Sequence, residues 1–336
     1  MLKKNELLKR IGNLSQLGYA RPTILTDGFA GNMRAIDVNT GGGLTYTVLP
    51  DRGMDISLAS YKGSNLVFIT NNGEAHPSFY ESEGVGWLRT FTGGLLTTCG
   101  LTHFGPPVDD HGEQLGLHGR YSTIPARQVA DNSGWEGENY HIRLKGVIEE
   151  GHLFGNKIRN ERHIESVIGS NIIRIIDIIT NVGYQPDPFT ILYHINIGYP
   201  MLDEHSVLTI DAKKTTARDQ KFKNEISSYH TFIEPQVGYE ERVFTHEVNG
   251  DKEGNTIVSL TNKKLSKGTL YVKFNTHSLP YCTEWKMMGQ GEYVLGIEPC
   301  NAPCKNRKTL REEGLLPVLQ PQESKRIEVE IGITEG

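Results

Sequence analysis

A chain of 336 residues, 37% of them hydrophobic, can bury a large core, and an all-β unit can run this long undivided. The formal charge of −5 excludes a basic surface for nucleic acid or for an anionic membrane. No apolar run approaches the roughly 20 residues that span a bilayer, and the start has no secretory hydrophobic segment, so a cytoplasmic protein is expected.

Taken in chain order, Leu7, Leu8, Ile11, Leu14 and Leu17 recur at helical spacing and stop at Gly18. That stripe predicts an amphipathic helix over 3–17, with segment 1–18 packed on the main body. Helical periodicity is absent beyond it. Short runs rich in β-branched and aromatic residues follow at 44–50, 66–70, 172–180, 188–197, 207–210, 256–260, 269–275, 293–297 and 326–333. Gly, Asn, Asp or Pro bounds many of them, which predicts an all-β fold of many short strands. Segments 82–92 and 109–117 read as ordered loops, and 212–231 as a polar connection. No composition break or repeat divides the chain, so one domain over 1–336 is expected. Without a secretory signal, Cys99, Cys282, Cys300 and Cys304 are expected as reduced thiols. Cys300 and Cys304 lack the paired knuckle of a structural zinc site.

The candidate chemistry lies in three contexts. Alternation in the 188–197 strand puts Leu192, His194 and Asn196 on one face and Tyr193, Ile195 and Ile197 on the other. The first face sets an imidazole beside an amide, as the lining of a polar cleft requires. In the 293–297 strand, Val294, Gly296 and Glu298 share a face, with Glu298 at the strand end before Pro299. A carboxylate there is partly desolvated and its pKa rises toward that of a useful base. His118 follows a His-, Asp- and Gly-containing loop and is flanked by Gly119 and Arg120, a group able to bind a substrate oxygen. His103, His111 and His118 lack dense metal-ligand spacing. The segment from Asp51 to Asp55 reads as a turn with a local ion pair around Arg52. Phosphate-binding loops and nucleophile elbows are missing.

Leu-His-Gly at 117–119, the histidine of His-Ile-Asn-Ile-Gly at 194–198 and Gly-Ile-Glu-Pro at 296–299 resemble, in order, three motifs of the aldose 1-epimerase (galactose mutarotase-like) superfamily. The Asp-Arg-Gly-Met-Asp-Ile, Gly-Gly-Leu-Leu-Thr-Thr-Cys-Gly-Leu and Glu-Pro-Cys-Asn-Ala-Pro-Cys strings resemble a divergent branch known mostly as a domain of unknown function. The resemblance runs from about residue 44 to the C-terminus. It implies a β-supersandwich with the site on its concave face, His194 as general acid, Glu298 as general base, and His118 holding the sugar near its ring oxygen. The implied reaction is anomer interconversion. Glu298 takes the C1 hydroxyl proton, His194 protonates the ring oxygen from the opposite side of the bond, the ring opens, C1–C2 rotates, and closure reverses the transfers. No redox cofactor or metal is implied. The family's Gly-Arg-x-Ala-Asn-Arg string is absent, leaving Arg89 as the nearest arginine in order, and Arg120 replaces a glycine of the histidine motif. The strand histidine also lacks the usual Tyr-Phe-Asn. The expected substrate-binding set is therefore His118, Arg89, Arg120, Asn196 and Trp285, with Tyr239, Glu240, Glu241 and Lys286 as further shapers of sugar specificity. The expected partner is a small-molecule sugar; a homodimer is left open. Another carbohydrate-active chemistry on the same scaffold (epimerase, lyase or hydrolase) and non-catalytic sugar binding remain alternatives.

Overall fold

The computed structural model describes residues 3–264 and 268–335. Two large antiparallel sheets share one core. The nine-stranded sheet runs, from one edge, through Gly134–Glu136, Asn139–Gly151, Lys157–Val167, Ile172–Asn181, Ser324–Glu335, Gly268–Asn275, Asn255–Asn262 and Val207–Thr209, with Arg127–Asp131 also pairing onto Asn139–Gly151. The six-stranded sheet runs Ala212–Ala217, Arg242–Val248, Tyr281–Gly289, Glu292–Cys300, Thr190–Ile197 and Thr97–Leu101. A five-stranded sheet is built from chain between residues 19 and 65. The mostly antiparallel β-sandwich expected from the short β-branched runs is therefore present.

The core lies between the large sheets, where Ile191, Ile195 and Ile197 of one meet Ile173, Ile175, Val258, Leu270 and Val272 of the other. Burying each such side chain contributes about 1.5–3 kcal/mol. A polar knot sits among them. The Arg162 guanidinium donates to Asp177 through Nε and Nη2 at 2.8 and 2.7 Å, and to Asp55 and the Thr98 hydroxyl at 2.9 Å each. The Tyr193 hydroxyl donates to Asp177 at 2.7 Å. This network joins the middle of the nine-stranded sheet to the underside of the His194 strand.

Several expectations change. The N-terminal helix over 3–17 is instead a short helix, Lys4–Leu8, and a separate 3-10 turn, Leu14–Gln16. Asn13 caps the second turn in a reciprocal capping box with Gln16, which restarts the chain after Gly12. Leu14 and Leu17 still pack on the core. Segment 66–70 makes only isolated bridges, Val67 to Ile197 and Ile69 to Gly93. The polar connection over 212–231 begins with the edge strand Ala212–Ala217 and continues as a 3-10 stretch, Gln220–Ser228. The strand carrying Glu298 does not end there but continues through Pro299 to Cys300. No local ion pair forms around Arg52: Asp51 pairs with Arg34, Asp55 with Arg162, and buried Arg52 donates to the Ala75 carbonyl.

Candidate active site

The six-stranded sheet brings the first two candidates together by register. Leu192 pairs with Cys300 and Ile195 with Ile297, which sets His194 opposite Glu298 on adjacent antiparallel strands. The next strand sets Thr283 opposite Glu298, and the strand on the far side sets Thr97 opposite His194. Side chains of directly opposed residues stand close on one face. His194 Nε2 accordingly lies 3.2 Å from Glu298 Oε1, with the two side chains only 5% and 3% exposed. No aligned hydrogen bond joins them: Glu298 Oε1 is a buried polar atom without a hydrogen-bond partner, and so, separately, is His194 Nδ1. The acid and base candidates stand side by side, a correction to the expectation that they face each other across a substrate bond.

Gly296 makes this contact feasible. It shares the Glu298 face, and a Cβ there would lie 2.4 Å from Glu298 Oε1, 3.0 Å from Trp285 Cβ and 3.2 Å from His194 Cε1. A methyl at that position would displace both functional groups.

Burial dominates the protonation of the pair. It drives the His194 pKa well below the usual histidine value, and the nearby His118 adds to the fall. Burial also raises Glu298 well above the usual carboxylate value, with Glu241 adding to the rise and Arg218 opposing it. Burial thus favours the neutral form of each partner, a bare imidazole beside a protonated carboxyl. Imidazolium with carboxylate contains the same single proton, so the two arrangements differ only by a transfer across the 3.2 Å contact.

His118 completes the floor. Its Nδ1 donates to the Phe104 carbonyl at 2.9 Å, and burial lowers its pKa to about 4. A neutral ring with its proton on Nδ1 presents Nε2 as an acceptor. Aromatic rings enclose the histidines: Trp87 stacks on Phe91 at 4.5 Å and meets the His118 ring edge-on at 4.5 Å, while Trp285 lies 5.4 Å from the His194 ring. The resulting cavity of about 400 Å3 is lined also by Val85, Leu88, Pro106, Pro107, Val243, Thr283 and Cys304. At its side, Arg218 donates to Glu241 and Asp219 at 2.7 and 3.0 Å, and Trp285 Nε1 donates to Glu241 at 2.8 Å. Roomier surface clefts exist elsewhere, of about 480 and 680 Å3, but neither holds a contacting histidine and carboxylate of this kind.

Of the expected residues, His194, Glu298, His118 and Trp285 converge on this cavity. Three do not line it. Arg89 points to solvent and pairs with Glu81 at 3.1 Å, because the 3-10 turn Gly86–Arg89 turns Trp87 inward instead. Arg120 is exposed and borders a different surface cleft, beyond Gly119, whose tight approach to the Gly100 and His103 carbonyls directs the chain away. Asn196 is fully buried beside the histidine, but its amide donates to the Gly94 and His194 carbonyls at 3.1 and 3.0 Å. Among the specificity candidates, Glu241 lines the cavity, whereas Glu240 pairs with Lys221 and Lys286 donates to backbone carbonyls of the 228–231 segment. Arg218, Trp87 and Phe91 were not singled out by the sequence. For Arg218 the available signal was the β-branched Thr215-Thr216 pair in a run that forms a sheet edge and ends at Ala217, one residue before that arginine.

His103, His111 and His118 do not form a metal-ligating group; among the described residues the one such cluster is Asp203, Glu204 and His205, outside the cavity. No helix among the described residues is long and apolar enough to cross a membrane.

With this geometry in view, comparisons with known proteins fix the family and the fold. A family model, Domain of unknown function (DUF4432), matches residues 30–333. No curated protein matches the chain. A solved structure from Klebsiella pneumoniae subsp. pneumoniae MGH 78578, described as a "putative aldose 1-epimerase", superposes with a TM-score of 0.90 at 24% identity, covering 99% of this chain and 87% of that one. A galactose mutarotase-like protein from Clostridium acetobutylicum gives a TM-score of 0.67 at 12% identity, covering 96% and 100%. Galactose 1-epimerase from Lactobacillus acidophilus NCFM gives 0.63 at 13% identity, covering 95% and 99%. The chain therefore belongs to the DUF4432 family, a domain of unknown function, and has the galactose mutarotase-like β-sandwich fold.

Proposed function

We propose that this protein is a sugar isomerase that interconverts the anomers of a free aldose by acid–base ring opening and closure. The observation that carries the reading is the buried His194–Glu298 contact of 3.2 Å on the floor of an aromatic-walled cavity. The Lactobacillus acidophilus protein with the same fold is described as a galactose 1-epimerase, which is consistent with sugar anomers as substrate class.

The chemistry needs one proton accepted at the C1 hydroxyl and one delivered to the ring oxygen. These atoms are both bonded to C1, so a base and an acid that stand side by side can address them from one face of the sugar. In the imidazolium–carboxylate arrangement Glu298 takes the C1 hydroxyl proton as the carbonyl forms. The C1–O5 bond breaks and its electron pair takes the proton from His194 Nε2. Rotation about C1–C2 and reversal of both transfers give the other anomer, with no net change in the pair's proton. Positioned groups of this kind contribute typically 10²–10⁴-fold in rate. His118 Nε2, an acceptor in the neutral ring, holds a sugar hydroxyl, and the Trp285 and Phe91 faces cover the C–H surface of the ring.

Polarimetry on freshly dissolved single anomers across an aldose panel tests this. Wild type should accelerate the approach to equilibrium for at least one sugar. Glu298→Gln should lose at least about 10²-fold of that acceleration while still binding the corresponding methyl glycoside. Unchanged acceleration in Glu298→Gln would remove the carboxylate from the mechanism.

A further inference from the structure

We propose that the sugar taken by this site is an uncharged 6-deoxyhexose, with its C6 methyl seated on the apolar lip formed by Val85, Leu88, Pro106 and Pro107. The inference rests on the anomerase reading above for the orientation of C1, and on the composition of the cavity wall for everything else.

The wall is sparing in hydrogen-bonding groups. Beside His118, His194 and Glu298, the described polar side chains that line it are Thr283, Arg218, Glu241 and the weakly donating Cys304 thiol, the indole N–H groups of Trp87 and Trp285 being taken by Ser122 and Glu241. Thr283 is already within 3.6 Å of the Cys300 thiol. Arg218 and Glu241 are committed to each other at 2.7 Å, and Glu241 also accepts from Trp285 Nε1 at 2.8 Å. His194 and Glu298 are assigned to the C1 oxygen and the ring oxygen. That leaves His118 Nε2 and the remaining capacity of Thr283 and the Arg218–Glu241 pair for the other hydroxyls. These suffice for hydroxyls on C2, C3 and C4. They leave no dedicated partner for a hydroxyl on C6.

The remainder of the wall is apolar, and part of it is unusually open. Val85 is 59% exposed and Leu88 51% exposed at the mouth, on the segment that also carries Trp87 into the cavity. Pro106 and Pro107 line the cavity from the adjoining turn and offer no backbone N–H to a ligand. A methyl placed there removes apolar surface from water on both sides, whereas a hydroxymethyl finds no side-chain hydrogen-bond partner among Val85, Leu88, Pro106 and Pro107.

Charge excludes the other common C6 substituents. Arg218 is the sole cationic side chain among the described lining residues, and Asp219 and Glu241 already neutralise it. A C6 carboxylate or phosphate would meet Glu241 without a free cation.

The test compares each 6-deoxy sugar with its own 6-hydroxy parent: fucose with galactose, rhamnose with mannose, quinovose with glucose. Initial rates of anomer equilibration give kcat/KM, and saturation-transfer NMR of the non-reacting methyl glycosides gives binding. The best 6-deoxy sugar should exceed its parent by about tenfold or more in kcat/KM, within the 10–200-fold range that one group in an apolar pocket confers. Leu88→Asn and Val85→Asn should narrow that ratio. A parent hexose, a uronic acid or a 6-phosphate that equals or outruns the deoxy sugar would overturn the substrate class and leave the anomerase reading intact. Preferential binding of methyl 6-deoxyhexosides with no exchange in any sugar would support the ligand class and overturn the reaction. Neither exchange nor preferential binding would overturn both.

Discussion

Burial shifts His194 and Glu298 in opposite directions, and in the proposed reaction the two act as a unit. The sign of the pH dependence follows. Below the lowered His194 pKa the pair carries two protons and has no base; above the raised Glu298 pKa it carries none and has no acid. The acid limb of the rate should therefore lie below the ordinary histidine value of about 6.5 and the basic limb above the ordinary glutamate value of about 4.3, and stopped-flow polarimetry against pH checks this. A limb centred on 6.5 would mean that His194 titrates like an exposed histidine. Gly296 gives a second residue-scale prediction. Gly296→Ala should fold, yet lose at least about tenfold in kcat/KM, because its methyl displaces Glu298 and the His194 ring together. Circular dichroism and the rate assay on one preparation separate the two effects. The motif residues of the site were legible in the sequence because each sits in a short, distinctive string. The arginine was not: choosing Arg89 followed order along the chain, whereas Arg218 reaches the cavity through the sheet register that hydrogen-bonds its N–H to the Val243 carbonyl at 2.8 Å.

At the scale of elements, the cavity roof hangs on a few clamps. The helix Arg307–Glu312 meets the hairpin of Val108–Asp110 and Glu113–Leu115 through buried Asp110, which accepts from Arg307 Nε at 2.6 Å and Arg311 Nη2 at 2.8 Å. A Cβ on Gly105 would fall 2.1 Å from the Lys305 carbonyl oxygen, so the turn carrying Pro106 and Pro107 is seated directly against the chain entering that helix. Burial alone would raise the Asp110 pKa, but the hydrogen bonds and charges of Arg311 and Arg307 outweigh it and hold it at about 2. A carboxylate depressed in the folded state stabilises fully above its unfolded value near 3.9, and that stability is lost as pH falls toward 2. Asp110→Asn should cost about 2 kcal/mol at neutral pH and flatten the acid side of the stability profile, measured by urea unfolding at pH 7 and pH 3. An unchanged profile would show that the clamp is idle. Runs of β-branched residues announced strands such as Ile172–Asn181, whose isoleucines stand on both faces and mask the buried Asp177 and Asn181, and Ser324–Glu335, whose inward Ile327, Val329, Ile331 and Ile333 are apolar. The strand Lys157–Val167 escaped notice because its inward positions include Asn160 and Arg162 and its outward ones are mostly charged, so no apolar run marks it.

At the scale of the whole molecule, the two large sheets are joined through charge as well as through the apolar core. Arg162 is wholly buried and ties Asp177 of its own sheet to Asp55 and Thr98, with Tyr193 closing the network behind His194. Removing one member leaves buried charges unpaired, so Arg162→Leu should destabilise by about 3–5 kcal/mol, read from chemical unfolding. A loss below about 1 kcal/mol would mean that the aspartates are protonated or rehydrated in the variant. No local pattern in the sequence predicts this network, since its members come from strands more than a hundred residues apart. It holds the strand that carries His194 from beneath while Glu298 reaches it from the neighbouring strand, and anomer exchange is the chemistry drawn from that arrangement. Magnetisation-transfer NMR between the α and β anomeric protons, with wild type beside Glu298→Gln at matched folded concentration, measures that exchange directly. Exchange accelerated by wild type and abolished by the substitution is the predicted result; a folded wild type that accelerates exchange in no aldose would contradict the account.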